Sequence, residues 1–516
     1  MSQRPPFYIT TPIYYVNDVP HIGHAYTTLA CDVLARFKRL DGYDVMFLTG
    51  TDEHGQKVEK SAEKAGVPPL EFCDKVSGSF KKLAEAMNFS NDQFIRTTEE
   101  RHKIAVQALW RRLVEKGFIY EDKYAGWYSV RDEAFYAEKE LVEGPGGEKL
   151  APTGAPVEWV EEPSYFFKLS AMEDQLLELY ENQPDFVMPK SRLNEVKSFV
   201  KGGLLDLSIS RTSFNWGVPV PDADGHVMYV WIDALTNYLT AVGFPDETGD
   251  DYKKYWPANV HMVGKDILRF HAVYWPAFLL AADLPLPQRV FAHGWWTNEG
   301  QKISKSLGNV IDPFELIEEY GLDETRFFLL REVPFGNDGD FSRSSFVARC
   351  NADLANGLGN LAQRTLSMIH KNLDGVVPEP GPYTDDDKAL LDGVSQTLDK
   401  VRGHMDKQAF HAAFECIFSQ AAAADTYVSV QAPWALKKTD PDRMNTVLYV
   451  LADVVRQLAI LVQPIMPQSA DKLLDQLKVT ERGFDQLGSG QRLKSGTVID
   501  KPTGVFPRLS APEVKD

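Results

Sequence analysis

Only four cysteines occur in 516 residues, Cys31, Cys73, Cys350 and Cys416, and no two lie within four positions of each other. That spacing excludes CxxC-type zinc knuckles and argues against a disulfide-built scaffold. Long apolar runs are lacking too, with no stretch near the roughly 20 residues a membrane helix needs. The amino terminus, Met1-Ser2-Gln3-Arg4-Pro5-Pro6, leads straight into a strand-like segment without the regions of a signal peptide. A cytoplasmic protein with no membrane partner is expected. Positive charge is also scarce, since 55 Lys and Arg against 73 Asp and Glu give a net charge of −18. This balance disfavours a general polyanion binder, yet a local basic track on an acidic body can still hold one structured RNA. No internal repeat or long low-complexity tract is present.

The composition is that of a packed globular protein, 44% hydrophobic, 11% aromatic and 25% charged, and the length predicts roughly two to four domains. Phe7-Tyr8-Ile9-Thr10-Thr11 reads as a buried strand. Leu29, Val33, Phe37 and Leu40 recur at helical spacing over 25–40, and Asp44 to Thr49 supplies a second strand. Strand, loop, helix and strand in this order open a doubly wound parallel sheet, whose ligands bind beyond the carboxyl ends of the strands. From about Phe118 to Asn215 the pattern changes to aromatic-rich short strands broken by turns, read as an insertion. Val227-Met228-Tyr229-Val230-Trp231, Val260 to Val263 and a last strand at Val290 to His293 restore the α/β rhythm. After about Phe346 the apolar spacing is that of a helical bundle, through Leu354, Leu358, Leu361 and later Leu451, Val454, Leu458, Leu461 and Val462. In the tail, Val505-Phe506 is expected to form a short element docking back on the body.

Two motifs carry chemistry. Pro20-His21-Ile22-Gly23-His24 falls between the first strand and its helix. There, unpaired backbone N–H groups and the helix dipole favour phosphate, Gly23 permits close approach of a nucleotide, and two imidazoles can donate to a triphosphate. Structural or capping histidines are the plainer alternative. Lys302-Ile303-Ser304-Lys305-Ser306-Leu307-Gly308-Asn309 lies some 280 residues later. Its lysines and serines suit a clamp on the β- and γ-phosphates, with Lys305 in direct contact, although most such clusters are solvated basic loops. The two motifs in this order, on the first βα loop and after the last strand, make the joint reading far more specific than either alone.

With these signatures the chain resembles the class I aminoacyl-tRNA synthetases, and in detail the methionyl-tRNA synthetase family. The match extends through Thr49-Gly50-Thr51-Asp52-Glu53-His54-Gly55, Trp127-Tyr128, Tyr229-Val230-Trp231-Ile232-Asp233-Ala234, Gly264-Lys265-Asp266 and Ala432-Pro433-Trp434. The resemblance implies a Rossmann-like doubly wound α/β sheet with an inserted connective domain and a C-terminal α-helical anticodon-binding bundle. Its expected segments are 1–117 and 226–295 for the catalytic halves, 118–225 for the insertion, 296–345 for the stem-contact segment bearing the Lys302–Ser306 loop, and 346–516 for the bundle and tail. The implied activity joins L-methionine to tRNA(Met) through methionyl adenylate, with ATP and Mg2+ as the nucleotide partner.

The resemblance also implies residue roles. His21, His24, Lys302 and Lys305 are catalytic, and Gly23, His24, Gly264, Asp266 and Lys305 bind ATP. The methionine pocket takes Ile13, Tyr15, Asp52, Trp231, Ala234, Leu235, Tyr238 and His293. Asp52 receives the α-ammonium group and Arg211 orients it. Aromatic faces and edges suit a thioether, although plain core packing would equally explain Trp231 on a strand and Tyr238 on the following helix. Asn360, Arg364 and Trp434 are the implied anticodon readers, by stacking and base-edge hydrogen bonds.

One departure is plain. Many bacterial relatives hold zinc in the insertion through cysteines, whereas here Gly126-Trp127-Tyr128 is followed by Ser129, and 151–157 contains no cysteine. A zinc-less insertion is therefore expected, with no metal site. A synthetase for another amino acid and a non-catalytic tRNA-binding paralogue remain as alternatives. The insertion is too short for the editing domain of the leucine, isoleucine and valine enzymes, and a paralogue would be expected to have eroded signatures. No sign of an extra dimerising module is present, so a monomer is expected.

Overall fold

The computed structural model describes residues 4–16, 19–303, 308–488 and 490–510. It divides into two compact units. One comprises Pro6–Pro20 and Val45–His293, the other Met1–Pro5, His21–Asp44 and Gly294–Asp516.

The first unit is built on a six-stranded sheet in the order Gln93–Arg96 (β3), Asp44–Asp52 (β2), Pro6–Tyr15 (β1), Val260–Gly264, Val290–His293, Val187–Met188. Pairing is parallel at Leu48↔Gln93, Ile9↔Val260, His261↔Val290 and Val290↔Val187. β1 and β2 are buried almost end to end, as expected for central strands covered on both faces. The strand order reverses at β1, so the carboxyl ends of β1, β2, Val260–Gly264 and Val290–His293 border the crevice where such sheets take ligands.

The insertion contributes a separate antiparallel sheet, in the order Leu207–Ser208, Glu158–Phe167, Ile119–Ser129 (β4), Ala134–Tyr136 (β5). It is not strands alone, contrary to the sequence expectation. Helices Glu173–Asn182 and Lys190–Lys201 bury Leu176, Leu179 and Tyr180, and Leu193, Val196 and Val200. The short strand between them, Val187–Met188, edges the parallel sheet. A second correction concerns Trp231, which is not on a strand. Only Val227–Met228 pairs, and Val230–Thr240 is a helix buried along ten of its 11 residues. Burial on every side explains why β-branched and aromatic residues persist in that helix against their propensity.

The second unit carries helix α1 (Ile22–Leu40), a three-stranded sheet of Gln301–Lys302, Trp296–Asn298 and Gly339–Phe341, and a helical bundle. Strands thus continue past His293, and Lys302 ends one of them. Helix Pro441–Val462 is long and apolar enough to cross a membrane, but 94% of its most apolar window is buried inside the protein, where it forms the bundle core. The 505–506 segment forms no regular element, although Phe506 is buried and packs beside Gly359.

Charged side chains tie α1 to this bundle. Arg326 and Asp32 are both fully buried, 2.7 Å apart, and Arg326 also donates to the carbonyls of Pro464 and Ile465 at 3.0 and 2.8 Å. One turn on, Arg36 pairs with the same carboxylate at 2.8 Å. Lys38–Asp406 at 2.8 Å and Arg402–Asp41 at 2.7 Å continue the contact to the end of α1.

Candidate active site

His21 and His24 cap α1 reciprocally. The Gly23 N–H donates to His21 Nδ1 at 3.1 Å, and the His21 N–H donates to His24 Nδ1 at 3.1 Å, an imidazole version of a capping box. Each ring accepts at Nδ1, so in the neutral form each carries its proton on Nε2. Burial and the neighbouring His21 ring, 4.0 Å away between centroids, hold His24 well below the usual imidazole value. Capping and catalysis are therefore compatible readings of this motif: the cap uses Nδ1 of each ring and puts the proton of the neutral form on Nε2. A Cβ on Gly23 would approach His21 Cε1 to 2.9 Å, so a side chain there would push the ring out of its capping position.

Lys302 is exposed at the end of its strand, and Asn309 Nδ2 donates to the Lys302 carbonyl at 3.0 Å. Asn298 Nδ2 in turn donates to the Asn309 carbonyl at 2.9 Å, so the two ends of the Lys302–Asn309 loop are drawn together. Lys305, with Ser304 and Ser306, lies outside the described residues.

In the other unit, Ile13, Tyr15, Asp52, Gly264 and His293 fall at or near the carboxyl ends of four adjoining strands. Helix Val230–Thr240 adds Trp231, Ala234, Leu235 and Tyr238. Ile13, Tyr15, Trp231, Leu235 and Tyr238 belong to one apolar cluster. Trp231 stacks on Phe270 at 3.7 Å and 6°, and its buried Nε1 has no hydrogen-bond partner. Tyr238 Oη lies 2.8 Å from His271 Nε2, and the edge of His271 meets Trp231. His271, which burial holds down to about 4, was not nominated from sequence; its position five residues past Asp266 was the available signal. Asp266 is exposed on the turn Lys265–Ile267, and a Cβ on Gly264 would meet its carboxylate at 2.5 Å.

Asp52 is 4% exposed and its Oδ1 has no hydrogen-bond partner. Burial, then Asp233, push its carboxyl well above the ordinary range, with a backbone N–H from His54 opposing them. Arg211 is buried and bonds Ser208 Oγ at 3.0 Å, with Glu162 3.9 Å away; its partners do not include Asp52. The guanidinium lies over the Phe135, Tyr229 and Tyr128 rings, with Nε and Nη2 making no hydrogen bond. Sequence reasoning also passed over Glu133. This buried residue accepts from Tyr15 Oη at 3.0 Å, from the Lys57 N–H at 3.1 Å and from Tyr128 Oη, tying the insertion to β1.

Where zinc ligands would be sought, the insertion has a hydrogen-bonded knot. The Asp132 N–H donates to the fully buried Ser129 Oγ at 3.2 Å, and Tyr136 and Thr153 donate to the Asp132 carboxylate. Arg131 reaches Thr153 Oγ1 at 2.9 Å. Among the described residues no group of three or more His, Cys, Asp or Glu is placed to hold a metal.

In the bundle, Asn360 opens helix Asn360–Asn372 and Arg364 follows one turn later. Arg364 lies 5.8 Å from the centroid of Trp434, which is 52% exposed on helix Pro433–Thr439, and pairs with Asp425 at 3.2 Å. A half-exposed indole beside a guanidinium is a ready stacking platform.

The family model for "tRNA synthetases class I (M)" matches residues 7–366, and that for the "Anticodon binding domain of methionyl tRNA ligase" matches 377–516. A Brucella suis methionine--tRNA ligase is 59% identical over 98% of each chain, and one from Rhizobium meliloti is 58% identical over 99% of this chain and all of that one. The chain belongs to the methionyl-tRNA synthetase family. A solved structure of the Mycobacterium tuberculosis methionyl-tRNA synthetase in complex with methionyl-adenylate superposes with a TM-score of 0.95 at 55% identity, covering 98% of this chain and all of that one. The parallel sheet and the helical C-terminal region agree with the fold expected from the sequence.

Proposed function

We infer that the chain activates L-methionine with ATP, releasing pyrophosphate, and transfers the methionyl group to the terminal ribose of tRNA(Met). The methionine carboxylate attacks the α-phosphorus; the ribose hydroxyl then attacks the adenylate carbonyl and AMP leaves. The observation that carries the pocket assignment is Asp52, a buried carboxylate with one oxygen unpartnered at the strand ends, in the same unit as an aromatic and imidazole cluster. In this reading Asp52 receives the α-ammonium group, while Trp231, Tyr238 and His271 surround the thioether with Ile13, Ala234 and Leu235. Tyr15, held by Glu133, and His293 complete the pocket, and Arg211 orients the bound amino acid. Gly264 and Asp266 take the adenosine, and the Nε2–H groups of His21 and His24 meet the triphosphate. Lys302 and Lys305 neutralise the pyrophosphate, and Mg2+ accompanies the nucleotide. No side chain is assigned as a base, since positioning and charge stabilisation supply most of what phosphoryl transfer needs.

The five-segment division, the monomeric state and the cytoplasmic location belong to the same proposal. So does a zinc-free insertion, supported by the Ser129–Asp132–Thr153 knot. Stoichiometric zinc that survives dialysis against a chelator would overturn that part, and a metal-free chain with unchanged melting is expected.

The second step is tested by charging a tRNA(Met) transcript with labelled methionine. Wild type is expected to charge it. Trp434→Ala is expected to weaken the transcript's productive binding by about 1–3 kcal/mol, the usual cost of one lost base stack. Its pyrophosphate exchange without tRNA should be unchanged, and an equal loss in both assays would contradict the assignment of Trp434 to the anticodon.

A further inference from the structure

Trp434 stands on a helix that burial does little to hold. Pro433–Thr439 buries only Pro433 along its length, so apolar packing hardly sets its direction. It follows helix Phe410–Gln431 through a single residue, Ala432, at φ 43° and ψ 60°. A residue with a Cβ is disfavoured in that left-handed region and stays there where its surroundings hold it. Pro433, lacking an N–H, bars the first helix from running on. Before and after this corner in sequence, Val430 and Trp434 are 68% and 52% exposed. Polar contacts do what burial does not.

They start from Asp387, a fully buried carboxylate in the first turn of helix Asp385–Ser395. Arg443, in the first turn of helix Pro441–Val462, binds it through both terminal nitrogens, with Nη2 2.7 Å from Oδ1. Tyr427 Oη, on helix Phe410–Gln431, donates to the same carboxylate. A two-pronged pair with a carboxylate out of reach of water fixes the plane of the guanidinium. Nη2 also donates to Gln431 Oε1 at 2.8 Å, and Gln431 Nε2 donates to Asp386 Oδ2 at 3.1 Å. The amide has one orientation that satisfies both, since Arg443 can only donate and a carboxylate accepts. Gln431 is the last residue of its helix, next to Ala432.

The corner matters because the two halves of the stacking platform are referenced to opposite sides of it. Arg364 is paired with Asp425 on helix Phe410–Gln431, before the corner, at 3.2 Å. The indole rides on Pro433–Thr439, after it, and the guanidinium lies 5.8 Å from its centroid. The angle at Ala432 therefore sets the spacing of Arg364 and Trp434.

We propose that Gln431, held by Arg443 on Asp387, is a positioning residue for anticodon recognition, setting the corner that places the Trp434 indole beside Arg364. This rests on the assignment of Trp434 to the anticodon. With Gln431 released, both readers remain but their spacing is no longer fixed before the base arrives, and ordering them then opposes binding.

The test is the affinity of the full chain for a fluorescently labelled tRNA(Met) transcript and for a transcript differing only in its anticodon. Gln431→Met keeps a flexible side chain of similar size and loses both amide hydrogen bonds, while Asp387, Tyr427 and Arg443 stay bonded to one another. It is expected to weaken tRNA(Met) binding by roughly three- to tenfold, at most the worth of one hydrogen bond to a charged group, and to leave the affinity for the altered transcript as it was. In a Trp434→Ala background the same substitution is expected to add nothing, because the spacing it disturbs no longer includes an indole. A merely structural contribution would weaken both transcripts alike and add to the effect of Trp434→Ala, and either result overturns the proposal. Wild-type affinity in Gln431→Met, beside a clear loss in Trp434→Ala, also overturns it and leaves the anticodon assignment standing. If Trp434→Ala binds tRNA(Met) as tightly as wild type, the anticodon assignment fails and the proposal with it.

Discussion

His24→Asn slows methionine-dependent pyrophosphate exchange by about 100- to 1,000-fold, the usual cost of one lost donor to developing charge. The substitution separates the two roles that the structure allows this residue. Asparagine Oδ1 can occupy the position of His24 Nδ1 and accept from the His21 N–H, as the imidazole does at 3.1 Å, so the helix cap survives. Nothing replaces Nε2–H. His24→Ala loses the donor and the cap together, and is expected to match the asparagine variant in rate while losing about 1 kcal/mol more stability. The comparison is read from exchange rates and urea midpoints of the three proteins. A purely capping role for His24 would show the opposite pattern, with His24→Asn near wild type in rate and only His24→Ala impaired.

Arg326→Met destabilises the unit that contains α1 and the bundle by about 3 kcal/mol, towards the lower end of what breaking a buried ion pair costs. The guanidinium serves three acceptors at once, the Asp32 carboxylate and the carbonyls of Pro464 and Ile465. Methionine fills much of the volume but leaves all three desolvated. The loss stays at the low end because Arg36 still reaches Asp32 at 2.8 Å. Adding Asp32→Asn to Arg326→Met removes the buried charge that has lost its Arg326 partner and should restore part of the loss. Urea unfolding followed by the fluorescence of the whole chain measures both, and a double variant no better than Arg326→Met would contradict an electrostatic origin.

What could be read in advance was what local pattern encodes. α1 is legible because Leu29, Val33 and Phe37 keep helical spacing behind a capping motif, and β1 and β2 because both are short apolar runs bounded by turns. The two signatures and the family match carried the chemistry. The failures arise where tertiary environment overrides local preference. Val230 and Trp231 belong to a helix because that segment is enclosed by other elements, which no propensity reports. Leu193, Val196 and Val200 did carry a helical period, but the aromatic strands around them dominated the segment. Lys302 was placed after the last strand, yet Gln301–Lys302 pairs with Trp296–Asn298 through a two-residue ladder too short to leave a pattern.

The site divides in the same way. Residues within signature motifs could be nominated from sequence, and those whose contacts lie with partners distant in sequence could not. Glu133 reaches Tyr15 across 118 positions, and Arg326 reaches Asp32 across 294. His271 gained meaning only when the fold brought Tyr238 to it. Asp233 stood in the sequence only as one residue of a family motif, and nothing local to it announces His54 and His102 on either side.

The most direct test of the central claim is amino-acid-dependent exchange of pyrophosphate into ATP, without tRNA, across the standard amino acids, on wild type and on Lys305→Ala. Exchange with methionine and with no other amino acid, lost in the variant, is the predicted result. Exchange with a different amino acid, or none at all from a chain that still binds tRNA(Met), would contradict the account.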